Sequence, residues 1–272
     1  MKTNKLKMVT VLAMMALPIS AIADFTQGKS AMMSGDYTTA MKEFRPLAEG
    51  GDLKSQYVMG IIYDDGLGIT RDYKQAAMWY TKAAKQGDIN SQYNLGVMYT
   101  KGQGVDKNAA QSVAWYRKAA EQDFAAAQFA LADMYMKGWG VDQSTADAAV
   151  WFEKAAELKN YKAQLMLGIL YLEGNGVQKD TEKAAQWVKQ SAEQGHYKAQ
   201  YTMGMMYKEG KGVQQDYILA YALLDVATRD GHGEASKMKK EIEVNLTEKE
   251  LAEAQELASL WRQGKPISIP LS

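Results

Sequence analysis

The sequence predicts an all-α fold, a solenoid of stacked helix-turn-helix repeats of 36 residues. The first observation is a pair of glycines, Gly102 and Gly104, that recurs at a constant offset of 36 residues. The second is that Gln92 and Tyr99 recur at the same offset, as does Trp115 in four of the five copies. A fixed period of this length is typical of proteins in which each repeat buries its apolar face against the next. The other glycine pairs are Gly66/Gly68, Gly138/Gly140, Gly174/Gly176 and Gly210/Gly212.

The first half of each copy is predicted to be a helix. In "SQYNLGVMY" (91–99), Ser91, Leu95 and Tyr99 lie four residues apart and therefore on one helix face. Gly96 lies inside this helix, where glycine is unfavourable by roughly 1 kcal/mol relative to alanine. We expect it to let two helix backbones approach closely. Its equivalents are Gly60, Gly168 and Gly204, with Ala132 in the third copy.

A second helix is predicted to follow the glycine pair. It begins after a residue whose side chain can accept hydrogen bonds from free backbone N–H groups. It carries Trp115 and Ala119 four residues apart, and we expect both to face the first helix. The predicted cap residues are Asp72, Asn108, Ser144, Asp180 and Asp216.

The glycine pair in "YTKGQGV" (99–105) could instead be a loop that binds phosphate. A dinucleotide fingerprint needs a third glycine and a preceding strand, but Lys107 occupies the third position and no strand is predicted. A phosphate loop needs a Lys-Ser/Thr pair, which "GKG" (210–212) does not supply. The five-fold repetition favours a structural turn with left-handed backbone, and no nucleotide cofactor is expected.

The repeat "AQLMLGILYLEGNGVQKDTEKAAQWVKQSAEQG" (163–195) and its four sister copies resemble the Sel1-like repeat family, a relative of the tetratricopeptide repeat. The resemblance covers residues 51–230. It implies a right-handed α/α superhelix whose first helices line a concave groove, and a scaffold or adaptor role. Some exported, cysteine-rich relatives bind penicillin-type compounds, and hydrolysis has been attributed to them. This chain contains no cysteine.

Both ends of the repeat array are predicted to be caps, which a solenoid needs to cover its terminal apolar faces. Residues 24–50 form a shortened copy with an abbreviated first helix. Residues 231–263 are predicted to form C-terminal capping helices, and Thr247 with Glu250 forms a capping box that opens a helix ending near Trp261. The tail, 264–272, is expected to be loosely held.

Residues 1–23 are predicted to be a cleaved signal peptide. Lys2, Lys5 and Lys7 precede a short apolar run over 8–17, and small residues at 21–23 match a signal peptidase site. The run is about half the length that spans a bilayer. We expect cleavage after Ala23 and a periplasmic or secreted bacterial protein.

The charge balance excludes several classes of partner. Removal of the signal lowers Lys+Arg from 32 to 29 against 32 Asp+Glu, which gives a formal charge of −3. This balance does not suit nucleic acid or an acidic membrane surface. No later stretch of the sequence is apolar enough to predict stable membrane insertion.

No catalytic, cofactor-binding or metal-binding residues are predicted. His196 and His232 share one repeat position, which other copies fill with acid, amide or aromatic residues. A position so variable indicates a tolerant start of a helix rather than a metal ligand. Ser236 and Lys239 match the Ser-x-x-Lys pattern of penicillin-binding proteins, but the accompanying Ser-Asp-Asn and Lys-Thr-Gly triplets are absent from the sequence.

The predicted binding surface consists of two rows of side chains on the first helices, one residue of each row in each repeat. If tetratricopeptide geometry applies, both rows face the groove and bind a protein or peptide partner. The alternative is that these side chains fill the interior of a narrow superhelix. Asp133 is the one acid of the second row and is expected to select a basic ligand residue. The rows are Tyr57, Tyr93, Phe129, Leu165, Tyr201 and Ile61, Val97, Asp133, Ile169, Met205.

Three functions therefore stay open. The first is an exported adaptor that binds a protein segment in its groove. The second, an enzyme acting on cell-wall or β-lactam substrates, follows only from the family resemblance. The third is a secreted factor that engages a host protein.

Overall fold

The computed structural model describes residues 23–228, 233–262 and 269–271, which form fourteen α-helices and no strand. The predicted signal peptide lies outside these residues except for Ala23. From α1 to α13 each helix packs mainly against its neighbours in the chain, and α14 packs on α12; this consecutive packing of helix pairs confirms the all-α solenoid. The helices are α1 Phe25–Ser34, α2 Tyr37–Glu49, α3 Leu53–Asp65, α4 Tyr73–Lys85, α5 Ile89–Lys101, α6 Ala109–Ala120, α7 Ala125–Lys137, α8 Thr145–Glu157, α9 Tyr161–Glu173, α10 Thr181–Glu193, α11 Tyr197–Glu209, α12 Tyr217–Thr228, α13 Gly233–Glu243 and α14 Glu248–Arg262.

The predicted helix boundaries are confirmed by the caps. The first helices of the five repeats are α3, α5, α7, α9 and α11, and each ends at the first glycine of its pair with a φ between 65° and 73°. The second helices are α4, α6, α8, α10 and α12, and the side chain before each accepts a backbone N–H. Among the described helices none is both long and apolar enough to cross a bilayer.

The second glycine of each pair connects one repeat to the repeat before it. Gly104 has a φ of 70°, and a Cβ atom placed there would lie 2.0 Å from the carbonyl oxygen of Tyr73. Tyr73 begins the second helix of the preceding repeat. The loop backbone therefore packs directly on backbone, and a side chain at this position has no room.

The two helices of a repeat pack closely where glycine lies inside the first. A Cβ atom on Gly96 would lie 2.4 Å from the Tyr116 ring, which occupies the space that the glycine leaves. The residue that meets Gly96 is thus Tyr116 and not its neighbour Trp115. The Trp115 side chain is half-buried, packs against the cluster around Leu95 and carries the Lys118 ammonium 4.4 Å from its ring centroid.

Buried glutamines join each repeat to the one before it. Gln92 donates to the Ala84 carbonyl, at 3.2 Å, and accepts a hydrogen bond of 2.8 Å from Gln122. All five equivalent glutamines are buried and donate to an alanine carbonyl eight residues earlier. These bonds satisfy polar groups between the apolar layers and therefore specify the register of stacking. The five are Gln56, Gln92, Gln128, Gln164 and Gln200.

The two ends of the array differ in how they close it. At the N-terminus, the ten-residue helix α1 packs on α2. At the C-terminus, α13 and α14 both pack on α12, and the predicted capping box is confirmed because Thr247 and Glu250 exchange hydrogen bonds. Residues 269–271 differ from the expected loose tail, since Ile269 is fully buried and the Tyr207 hydroxyl donates to the Pro270 carbonyl.

Candidate functional site

The ten residues predicted to bind a partner lie on the first helices of the five repeats, two on each helix. We call the surface that they form the first-helix face. Nine of the ten side chains are half-buried, and Leu165 is buried. The first-helix face therefore lies at the boundary between the hydrophobic core and solvent and is not fully exposed.

The aromatic side chains of the first row pack backward onto the second helices. The Tyr93 ring lies 5.6 Å from the Tyr116 ring and 5.3 Å from the Phe124 ring of the next repeat, measured between centroids. Phe129 lies 5.5 Å from Phe152 in the same way. Spacings of this size are those of edge-to-face and tilted aromatic pairs. Replacement of these rings by alanine would thus remove core packing as well as accessible surface.

The middle of the second row carries an ion pair. The Asp133 carboxylate lies 2.6 Å from the Lys137 ammonium one turn later, and both side chains are partly exposed. The same ammonium lies 4.7 Å from the Trp139 ring centroid. A basic ligand residue would therefore compete with Lys137 for Asp133, which weakens the selection expected from the carboxylate alone.

Charged residues at the end of each first helix border the first-helix face. They occupy the last helical position in each repeat, directly before the glycine pair, and their side chains are exposed. The sign changes from acidic in the first repeat to basic in the next two and acidic again in the last two. They are Asp65, Lys101, Lys137, Glu173 and Glu209.

Trp139 is a surface residue that the sequence reasoning missed. It lies between the two glycines of the third repeat, is 52% exposed and lines a cavity of about 340 Å³ with Met134 and Ala109. The corresponding residues are Leu67, Gln103, Asn175 and Lys211, so the tryptophan is particular to this repeat. A comparison of this loop position across the five copies could have identified Trp139 from the sequence.

His196 is a structural residue at the start of α11. It occupies the N-cap, and within the described residues its side chain makes no cap hydrogen bond. Its ring lies 4.9 Å from the Tyr161 ring, and burial with two nearby lysines lowers the pKa of His196. Among the described residues no group of three or more His, Cys, Asp or Glu side chains could hold a metal ion. His232 lies outside these residues.

Ser236 and Lys239 do not form an acylation site. The Lys239 ammonium lies 2.7 Å from the Asp225 carboxylate. Burial alone would lower the pKa of Lys239, but the hydrogen bond and charge of Asp225 outweigh it, so that the pKa is raised. An ammonium held in this way does not accept a proton from serine.

Comparison with known proteins identifies relatives over most of the chain. A Sel1 repeat profile matches residues 53–88, 89–124, 125–160, 162–196 and 198–232. A Sel1 repeat protein from Oxalobacter formigenes is 30% identical with a TM-score of 0.77, and the alignment covers 89% of this chain and 100% of that one. The comparison with curated proteins gives no match.

A second solved structure is a protective antigen, c5321, present in uropathogenic Escherichia coli strains and displaying an SLR fold. It is 34% identical with a TM-score of 0.76. The alignment covers 89% of this chain but only 57% of that protein. Sel1 repeat proteins are generally scaffolds for protein–protein interaction. The repeat matches and both structures together show that this chain belongs to the Sel1 repeat family.

Proposed function

We propose that this chain is an exported adaptor that binds a segment of a partner protein along the first-helix face. The observation that carries the proposal is the continuity of the two rows, which add one side chain each in every repeat. A partner segment that runs along the array would contact the same pair of positions five times. Such repetition suits an extended or helical protein segment better than a small molecule.

The half-burial of the face supports binding. Rings such as Tyr93 and Phe129 are held from behind by the second helices, so their orientation is set before a partner arrives. Side chains that are already ordered lose little conformational entropy on binding, and rigid aromatic groups are frequent anchors at interfaces. Their accessible edges then provide contact area without a large reorganisation.

Export is part of the proposal and comes from the N-terminal sequence pattern. The relative from uropathogenic Escherichia coli is described as a protective antigen. This description favours a location in the envelope or outside the cell for the present chain as well. Cell fractionation with antibodies to the mature protein would separate periplasmic from secreted material, and retention in the cytoplasm would contradict export.

The test compares a glutamate substitution of a valine on the first-helix face with the same substitution of a valine outside it. Val97 is half-buried in the second row, whereas Val150 is 52% exposed on the second helix α8. We expect V97E to weaken capture of a periplasmic partner at least about tenfold, because a charge enters the contact surface. V150E is the matched control and should capture the partner as the wild type does.

Folding must be checked for both variants by circular dichroism. If V97E is unfolded, the isosteric Val97→Thr gives a milder version of the same test. A folded V97E variant that captures the same partner with unchanged affinity would exclude the first-helix face as the binding surface.

A further inference from the structure

A cleft recurs at the glycine-loop edge of repeats three, four and five. Each cleft lies between a tyrosine near the end of the first helix and the beginning of the second helix. The tyrosines are Tyr135, Tyr171 and Tyr207, and we call the sites clefts three, four and five. The backbone fixes their shape, as when the Ser144 N–H donates to the Tyr135 carbonyl at 3.0 Å. Cleft three is thus related to cleft five by two repeats.

Cleft five is filled by a distant part of the same chain. Pro270 and Leu271 line it, and the Tyr207 hydroxyl donates to the Pro270 carbonyl. Ile269, next to them, is fully buried. A cavity of only about 160 Å³ is left. This repeat therefore shows how the cleft holds an extended segment, by one bond from the tyrosine hydroxyl to a backbone carbonyl and by contact with apolar side chains.

Cleft three has the same construction and a volume of about 710 Å³. The Arg117 guanidinium donates a hydrogen bond of 2.8 Å to the Tyr135 hydroxyl oxygen. The arginine therefore occupies a lone pair of the oxygen, and the O–H hydrogen stays available for a carbonyl. The donor that Tyr207 uses toward Pro270 thus has an equivalent here.

The two clefts differ in charge. Asp142 and Asp147 line cleft three at the positions that Gln214 and Leu219 occupy in cleft five. Both side chains are exposed, and neither carboxylate has an ion-pair partner among the described residues. In cleft five these positions line the same cavity as Leu271. A residue at the equivalent place in cleft three would lie beside two carboxylates.

We infer that cleft three binds an extended segment of a partner protein in which a lysine or arginine follows the residue whose carbonyl accepts from Tyr135. The basic side chain pairs with Asp142 and Asp147, since opposite charges complement each other at an interface. Cleft four is lined by Lys179, Lys183 and Asp180, and the Asp180 carboxylate already lies 3.8 Å from the Lys183 ammonium, so we expect this cleft not to bind a basic residue. Cleft three is separate from the first-helix face, and it selects its partner segment by charge.

The probe is a labelled peptide derived from the tail of this chain. The peptide Ile-Ser-Ile-Pro-Arg-Ser is the sequence 267–272 with arginine in place of Leu271. Two matched peptides carry leucine or aspartate at that place. We expect the arginine peptide to bind the full-length mature protein at least about tenfold more tightly than the aspartate peptide at low salt, with a difference that shrinks as salt screens the charges.

Three variants locate the binding. The double variant Asp142→Asn, Asp147→Asn keeps the side-chain shapes and should abolish the preference for arginine. Y135F removes only the hydroxyl and should weaken the arginine and leucine peptides alike, by about twofold to tenfold. Y171F in cleft four is the matched control and should change nothing.

Three results would overturn the inference: absence of binding up to about 1 mM, a preference for arginine that persists in the double asparagine variant, or equal effects of Y135F and Y171F. The V97E variant should bind the peptide as the wild type does. Failure of the proposal for the first-helix face therefore leaves this test unaffected, and the reverse also holds.

Discussion

An interruption of the buried glutamine pairs in the third repeat predicts a stabilising substitution. Gln86, Gln122 and Gln194 each donate to the buried glutamine of their own repeat, over 2.7, 2.8 and 2.6 Å. In the third repeat the equivalent residue is Leu158, which is 47% exposed and cannot donate. The Oε1 atom of Gln128 is buried and has no hydrogen-bond partner among the described residues. We expect Leu158→Gln to supply the missing bond.

The backbone already has the required conformation. Leu158 has φ −81° and ψ 18°, close to the −80° and 4° of Gln194. A new glutamine can therefore reach Gln128 without strain. A hydrogen bond contributes about 1 kcal/mol net, and a buried polar atom left without a partner costs about 1–3 kcal/mol. Ordering the side chain opposes this by up to about 1.5 kcal/mol, so the free energy of unfolding should rise by about 1 kcal/mol.

The assay is thermal and urea unfolding followed by circular dichroism. A gain of about 1 kcal/mol corresponds to a rise in the unfolding midpoint of about 2–4 °C for a protein of this size. Leu158→Glu is the matched control, because glutamate has nearly the shape of glutamine but no donor when ionised. If L158Q were no more stable than L158E, the buried amide bonds would not contribute to stacking as inferred.

Two further predictions concern a loop and a helix start. Gly104→Val should lower the free energy of unfolding by about 3 kcal/mol or more, because strain at a φ of 70° adds to overlap with the Tyr73 carbonyl. Gly87→Val is the control: its φ is 99° and nothing lies within 4 Å of the added Cβ, so it should lose only the stability that backbone strain costs. If urea unfolding showed equal losses for the two variants, the close packing at Gly104 would be contradicted. His196→Asn should raise stability by about 1 kcal/mol, because Asn160 at the equivalent position caps α9 with a bond of 3.0 Å. The lowered pKa of His196 means that the folded state favours the neutral ring, so the wild type should lose stability as the pH falls below 6.5. Unfolding curves between about pH 5 and pH 8 should show this loss reduced in the variant, and identical pH profiles would refute the assignment.

Much of the fold followed from repetition in the sequence. The spacing of 36 residues predicted the number of repeats, and the cap residues and glycines predicted where the helices begin and end. Caps such as Asp72 and glycines such as Gly102 act through the backbone of a few neighbouring residues, so their effect is visible in a short stretch of sequence. The capping box at Thr247 could be predicted for the same reason.

The direction of side chains could be predicted less well. Helical spacing placed Trp115 and Tyr116 on adjacent parts of one helix, but it could not tell which ring would fill the space at Gly96. The same limit applies to Tyr93, whose ring packs against Tyr116 in α6 and against Phe124, the residue before α7. Half-burial of this kind depends on the angle and distance between packed helices, which neighbouring residues in the sequence do not determine.

The sequence by itself determined the family and the repeat unit, because these arise from local backbone preferences repeated five times. Only the tertiary structure decided that Pro270 lies against Tyr207, that Gln128 lacks the donor that Gln56, Gln92 and Gln164 have, and that Asp142 and Asp147 line an open cleft. Tyr207 and Pro270 lie 63 residues apart in the chain. These features depend on how the helices stack and on where the C-terminal residues 269–271 pack. The periodic pattern of the sequence does not predict that packing.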